Sequence, residues 1–344
     1  MSGRWEKILI EKVFFMTKRN KIFQITMGIL LALTILWGVF MTVAFMFFAT
    51  NYIHRDAYDI WVAGVAVTRA NQDDVLGDGT VTYKPSSNTL IFQNALIELD
   101  RAIVQSEVDL RIKLIGENKF ICKDSEQIPA IYAADNYLYK DISFEGEGSL
   151  EIEFQNVTSS IQGILADNLT IDSNITITMS DCKDIANGIV CGSSLIMTNN
   201  ASVTVNNGSA THCSAVRVRG NALFEEGAEL NISVNNGAVE TCKGLSVNGD
   251  LILGNGVSLN VSIDDESVKV GECVRVTGLL EIGNGASLTA SAKKNSAIVC
   301  YGSIVANDAA TISATTEDEV SDIYCCAAVI HDGAVIHGEI KTFG

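Results

Sequence analysis

Proline is nearly absent from this chain of 344 residues, with two in all. Together with 28 glycines this excludes a disordered stalk and suits regular coils. Basic residues are also scarce. There are 24 Lys and Arg against 41 Asp and Glu, and the formal net charge is −17. A balance so acidic opposes nucleic-acid binding and favours solubility. The four histidines, His54, His212, His331 and His337, form no metal-ligand spacing. Phosphate-loop, nucleophile-elbow and dinucleotide-fold signatures are all missing. So are the Asn-Thr-Asp and Gly-His-Gly signatures of β-helix galacturonases. Glycosidic hydrolysis needs two facing carboxylates, and of the Asp-Asp pairs Asp73-Asp74 falls in the expected cap and Asp264-Asp265 in a loop. A polysaccharide lyase or glycoside hydrolase of pectate-lyase-like fold is therefore the second reading of function, not the first.

Charge is missing altogether from Ile22 to Ile53, between Lys21 and Arg55. As a helix, Ile22 to Ala49 extends about 42 Å, enough to cross a bilayer core of about 30 Å with tilt. The run is longer than a cleaved signal's apolar region and lacks a small-x-small exit. It predicts an uncleaved transmembrane helix over 22–50. Arg4, Lys7, Lys12, Lys18, Arg19 and Lys21 precede it, and only Arg55 follows closely. The positive-inside rule then places 1–21 in the cytoplasm and the rest outside a plasma membrane. Within 1–21, Trp5 to Met16 reads either as an interfacial amphipathic helix or as a plain basic, hydrophobic flank. Of the acidic residues only Glu6 and Glu11 precede the run, so the external part is more acidic than the whole.

What fills the remainder is a degenerate repeat. Its clearest copy is GLSVNGDLILGNGVSLNVSIDD, Gly244 to Asp265. Units begin at Gly163, Gly188, Ala215, Gly244, Cys273 and Ala297, with a partial unit at Ala328. Such a period suits a solenoid whose units bury their apolar faces by stacking. Alternation in the first strand of each unit puts Ile164/Ala166, Ile189/Cys191, Val216/Val218, Leu245/Val247, Val274/Val276 and Ile298/Cys300 inward. Gly220, Gly249, Gly278 and Gly302 follow as turn positions, where positive φ is cheap. Three short strands per unit with no helical period predict a right-handed parallel β-helix. Hairpins closed at Asn-Gly and Asp-Gly turns are the competitor. Weaker copies lie at Asn88 to Leu99, Val108 to Phe120 and Ile142 to Phe154. The division expected is 51–87 as linker and N-terminal cap and 88–344 as β-helix.

Tyr58 to Thr68 (YDIWVAGVAVT) and Asp74 to Ala95 (DVLGDGTVTYKPSSNTLIFQNA) resemble the opening of uncharacterised surface proteins of Gram-positive bacteria. In those proteins β-helix repeats follow, and some related β-helix proteins are described as carbohydrate-binding. The resemblance, from Tyr58 onward, implies a β-helix and a carbohydrate ligand.

Outward first-strand positions gather Arg217, Arg219 and Arg275, with Asn248, Thr277 and Tyr301 on the same face. Arginines two coils apart, about 10 Å, match the carboxylates of an acidic polysaccharide, with Tyr301 as a stacking surface. The bland reading pairs these arginines with Glu225, Glu226, Glu272 or Glu281. The third-strand exterior, Thr176/Thr178 through Ser313/Thr315, reads as an uncharged hydroxyl and amide ladder. It suits a neutral glycan, a second solenoid face, or simply solvent. The acidic runs Asp264-Asp265-Glu266 and Glu317-Asp318-Glu319 offer oxygen ligands to Ca²⁺ or are solvated turns; no other cofactor is expected. All nine cysteines follow the apolar run. Cys213, Cys242 and Cys326 each sit two residues before a unit start, where a vertical disulfide is possible, but buried free thiols are the preferred reading of the set. The function expected is a non-catalytic, membrane-anchored, extracellular β-helix that binds a glycan or another cell-surface component in adhesion or recognition. A structural subunit of an envelope assembly is the third reading.

Overall fold

The computed structural model describes residues 16, 21, 26–46, 56–123, 129–157, 159–179, 182–199, 201–208, 210–235, 240–264, 269–317 and 320–343. The chain divides into two units, Met1–Ala57 and Tyr58–Gly344. The first contains an apolar helix, Thr26–Met46, of mean hydropathy 2.4, long and apolar enough to cross a membrane. Its apolar side chains are exposed, Leu36 and Trp37 included. Its threonine hydroxyls donate back to the helix, Thr34 to the Leu31 carbonyl and Thr42 to that of Val39, both at 2.8 Å. Those two hydroxyl hydrogens are thereby satisfied within the helix. The expected amphipathic segment from Trp5 lies outside the described residues, apart from Met16.

The second unit is a parallel β-solenoid of about 8 turns, with three strands per coil. In the best-formed coils these are His212–Val218, Ala222–Phe224 and Glu229–Asn235, then Thr241–Val247, Leu251–Leu253 and Ser258–Asp264, then Val270–Val276, Leu280–Ile282 and Ser287–Ala292. Each strand pairs in parallel with its counterpart one coil away. The hairpin alternative is thereby excluded for the repeat. Antiparallel pairs among the described residues are few. Ala57–Val62 lies on Val104–Ser106, Val81–Lys84 on Thr89–Gln93, and Leu138–Tyr139 on Pro129–Asp135. The first two cover the edges on which the first and second sheets begin, edges that would otherwise offer open hydrogen-bonding groups.

Vertical registry makes the core. In the first sheet Ile164, Ile189, Val216, Leu245, Val274, Ile298 and Ile323 follow one another rung by rung. All are at most 1% exposed. A buried aliphatic side chain of this kind contributes about 1.5–3 kcal/mol relative to leaving it in water. The N-terminal coils use larger side chains, and Phe92 meets Phe120 edge-on at 5.1 Å. Unit starts are small for a reason visible only in three dimensions. Gly163, Gly188, Ala215, Gly244, Cys273 and Ala297 occupy a bend where a β-carbon on Gly188 would approach the Ala215 carbonyl at 2.6 Å.

Two expectations are corrected. Gly220, Gly249, Gly278 and Gly302 do not adopt positive φ; Gly227, Gly256 and Gly285, at the next corner, do. The first-corner glycines are needed because coils approach closely there: a β-carbon on Gly302 would run into the Gly278 carbonyl, and one on Gly220 into that of Ser193. The partial unit placed at Ala328 is also out of phase. Ile323, Tyr324 and Cys325 align with Ile298, Val299 and Cys300, whereas Ala328 stacks on Ile304 in the second sheet.

An unforeseen polar ladder holds the corner between the first and second sheets. Asp109 accepts the Asp141 amide at 3.0 Å, and Asp141 accepts the Asn168 amide at 3.1 Å. Farther along, Asn221 accepts from the Asp250 amide at 2.9 Å and Asp250 from that of Leu279 at 2.7 Å. Side chains one coil apart thus satisfy corner amides that lack a strand partner.

Leu245 is fully buried, so Leu245→Ala is expected to lower stability by about 2–5 kcal/mol. Denaturant unfolding of the Tyr58–Gly344 unit measures this, and a loss below 1 kcal/mol would show the column to be loosely packed.

Candidate functional site

The first sheet's exterior carries the cationic side chains singled out above. Arg217, Ser246 and Arg275 occupy one vertical column in that order, so the two arginines do stand two coils apart. Their surroundings differ. Arg275 donates to both carboxylate oxygens of the buried Glu272, at 3.0 and 2.9 Å, and its guanidinium lies 4.7 Å over the Tyr301 ring. Tyr301 stacks in turn on Phe343, at 5.5 Å and nearly parallel, and Phe343 on Tyr324 at 5.8 Å. Lys341 closes the column 5.6 Å over Tyr324. Arg275 and Tyr301 are therefore engaged with their neighbours. The face of Tyr301 read as a stacking surface for sugar is already covered by a guanidinium and a phenyl ring.

Arg217 is in a different position. Among the described residues it has no ion pair, and it lines a groove of about 280 Å³ with Asn187, His212, Cys213, Ser214, Thr241, Lys243, Ser246 and Asn248. Lys243 stands one coil above Ser214 and one below Glu272. Burial, and then the Arg275 guanidinium, hold its ammonium below the usual lysine range; Glu272 opposes this and Arg217 adds to it. The Ser214 hydroxyl is buried, with no hydrogen-bond partner among the described residues. A buried orphan hydroxyl costs about 1–3 kcal/mol unless something fills it. Two cations thus line one groove of an acidic chain, an arrangement that can accept a carboxylate, sulfate or phosphate oxygen. Asn248 joins this groove; Arg219 and Thr277 are exposed and do not line it.

Lys243 was missed because it falls between units, before Gly244, where strand alternation breaks. The registry skips Gly244, and Cys242 and Leu245 both turn inward. The signal available was a lone lysine in a repeat otherwise small or polar at that place.

Another groove, of about 320 Å³, is lined by Asp109, Asp141, Arg111 and Asn168 among others. Its carboxylates already accept corner amides, so its polar groups serve the fold. The third-sheet exterior follows the expected columns, Thr176, Thr204, Asn231, Asn260, Thr289 and Ser313 in registry. Asn260 donates to Asn231 at 2.9 Å. A parallel column through Asn174, Ser202 and Ser258 adds one carboxylate, Glu229.

Among the described residues no group of three His, Cys, Asp or Glu stands close enough to hold a metal ion. Of the two acidic runs considered for Ca²⁺, Asp264 pairs with Lys293 at 2.6 Å, while Asp265, Glu266, Asp318 and Glu319 lie outside the described residues. The cysteines split. Cys213 and Cys242, registry partners with Cα atoms 4.6 Å apart, form a disulfide, whereas Cys122, Cys191, Cys273, Cys300, Cys325 and Cys326 are free. The preference for free thiols thus fails for one pair, and Cys326 is exposed at a place unlike theirs. Burial pushes the Cys122 and Cys273 thiols up to about 12, so they behave as core side chains.

These features define a parallel β-helix protein with an N-terminal apolar helix. No protein-family model, curated protein or solved structure matches the chain.

The Cys213–Cys242 bond closes a segment of 29 residues, and replacing both cysteines with alanine is expected to cost about 2–4 kcal/mol. Denaturant unfolding of the double variant beside the parent checks this. An unchanged midpoint would mean that stacking alone fixes these two coils.

Proposed function

We propose that this protein is a non-catalytic receptor for an acidic glycan. The apolar helix anchors it in the plasma membrane with the N-terminus inside and the β-helix outside. The observation that carries the reading is the Arg217–Lys243 groove: two cations with no close ion pair among the described residues, near the buried Ser214 hydroxyl, on a chain of net charge −17. Some cations of this acidic molecule find an internal carboxylate, as Arg275 does and as Lys119 does twice. Two unpaired cations lining the same groove are positioned for an external anion. With a screening length of about 8 Å in physiological salt, this local charge acts despite the net charge. The resemblance of Tyr58 to Ala95 to surface proteins with carbohydrate-binding relatives points to a glycan. The six basic residues before the apolar run support the orientation.

The test is binding of a linear polyuronate, with a neutral glucan as control, to the full chain in detergent. Arg217→Ala and Lys243→Ala are each expected to weaken binding by at least tenfold, about 1.4 kcal/mol, whereas Arg219→Ala leaves it within twofold. The anion favours charged Lys243, whose titration in the free groove lies below the ordinary range. Affinity is therefore expected to fall as pH rises through that titration, and the fall should vanish in Lys243→Arg. Equal binding of the neutral glucan, or release of unsaturated or reducing sugars from the polyuronate, would overturn the reading.

A further inference from the structure

Cys300 and Cys325 are registry partners on adjacent parallel rungs of the first sheet. Both are fully buried, and neither is bonded. Cys213 and Cys242 stand in the same relation in the same sheet, direct partners one coil apart and at most 4% exposed, and they are bonded. Parallel registry places partner Cα atoms about 4.8 Å apart, inside the range a disulfide spans. We infer that Cys300 and Cys325 form a second vertical disulfide, stapling the coil that carries Tyr324 to the coil beneath it.

The reaction is a two-electron oxidation. One thiolate attacks a low-molecular-weight disulfide such as oxidised glutathione and releases one thiol. The second thiolate then displaces the other thiol from the mixed disulfide. The two cysteines lose two electrons and two protons, and the co-reactant's sulfur–sulfur bond becomes two thiols. The Cys300 thiol now donates to the Gly278 and Ser303 carbonyls at 3.4 and 3.5 Å, long contacts that rotation of its side chain gives up. Burial pushes the Cys300 thiol up to about 11, with Cys325 and Cys326 adding to the shift. Thiolate is therefore scarce in the closed coil, and the bond forms while the terminal coils dock and both thiols are open. Cys326, exposed and donating to the Tyr301 carbonyl at 2.8 Å, points to the other side of its strand and takes no part.

The experiment is cell-free synthesis of the full chain into lipid nanodiscs, in an oxidising or a reducing glutathione buffer. Free thiols are then alkylated, and the protein is digested without reduction for mass spectrometry. The oxidised sample is expected to yield a peptide linking Cys300 to Cys325 beside one linking Cys213 to Cys242, with Cys300 and Cys325 no longer alkylated. Cys326→Ala keeps the new link. Cys300→Ala, a small replacement for a buried side chain, abolishes it while keeping Cys213 bonded to Cys242. A link from Cys326 to either partner overturns the inference. So does full alkylation of Cys300 and Cys325 in a sample whose Cys213 and Cys242 are bonded, and so does the absence of both links.

Discussion

Hydrogen bonding between parallel rungs is the constraint on which everything else in the β-helix rests. Each strand donates to and accepts from its counterparts above and below, so a side chain that turns inward on one rung forces its registry partners inward on all of them. Val216, Leu245 and Val274 share a column because their backbones share a ladder. The same constraint acts on whatever stands in the columns. It brings Cys213 against Cys242, sets Asn231 beside Asn260, and admits only small residues where the rungs bend over the third sheet.

The same ladder decides which charges remain available. Many carboxylates are consumed close to home. Asp109, Asp141 and Asp250 accept corner amides. Glu151 and Glu153 share Lys119, at 3.0 and 2.7 Å, and Glu272 holds Arg275. What matters for recognition is the residue of this pairing, since an exposed ion pair adds little stability but removes a cation from circulation. Arg217 and Lys243 are among the cations it leaves on the first sheet, and they share one groove. The aromatic column from Tyr301 to Tyr324 meets a cation at each end, so it ties the last residues to the sheet.

Much of this architecture was legible in the residues. Alternation assigned the inward pairs of the first sheet and the outward column of Arg217, Ser246 and Arg275, because a parallel rung repeats its parity faithfully. Three things were not legible. The corner glycines were credited with left-handed backbone, yet their role is to let one coil's carbonyls approach the next, a contact between residues remote in the chain. The last unit was placed at Ala328 because alternating apolar residues look alike in the first and second sheets, and only hydrogen-bonded registry with Cys300 and Ile304 tells them apart. Lys243 was passed over because the bend at Gly244 interrupts the alternation used to assign faces.

By itself the sequence determined that the chain is a coiled stack of short strands behind an apolar segment, because period and parity are properties of the chain alone. It also determined which residue types stand in each column. The tertiary structure decided which of those residues are occupied: that Arg275 is spent on Glu272, that Tyr301 stacks on Phe343 and under Arg275, that Cys213 finds Cys242, and that Arg217 and Lys243 share a groove. Occupancy depends on distances between side chains a full coil apart, and those distances are set by the closeness of stacking and by the bends between strands.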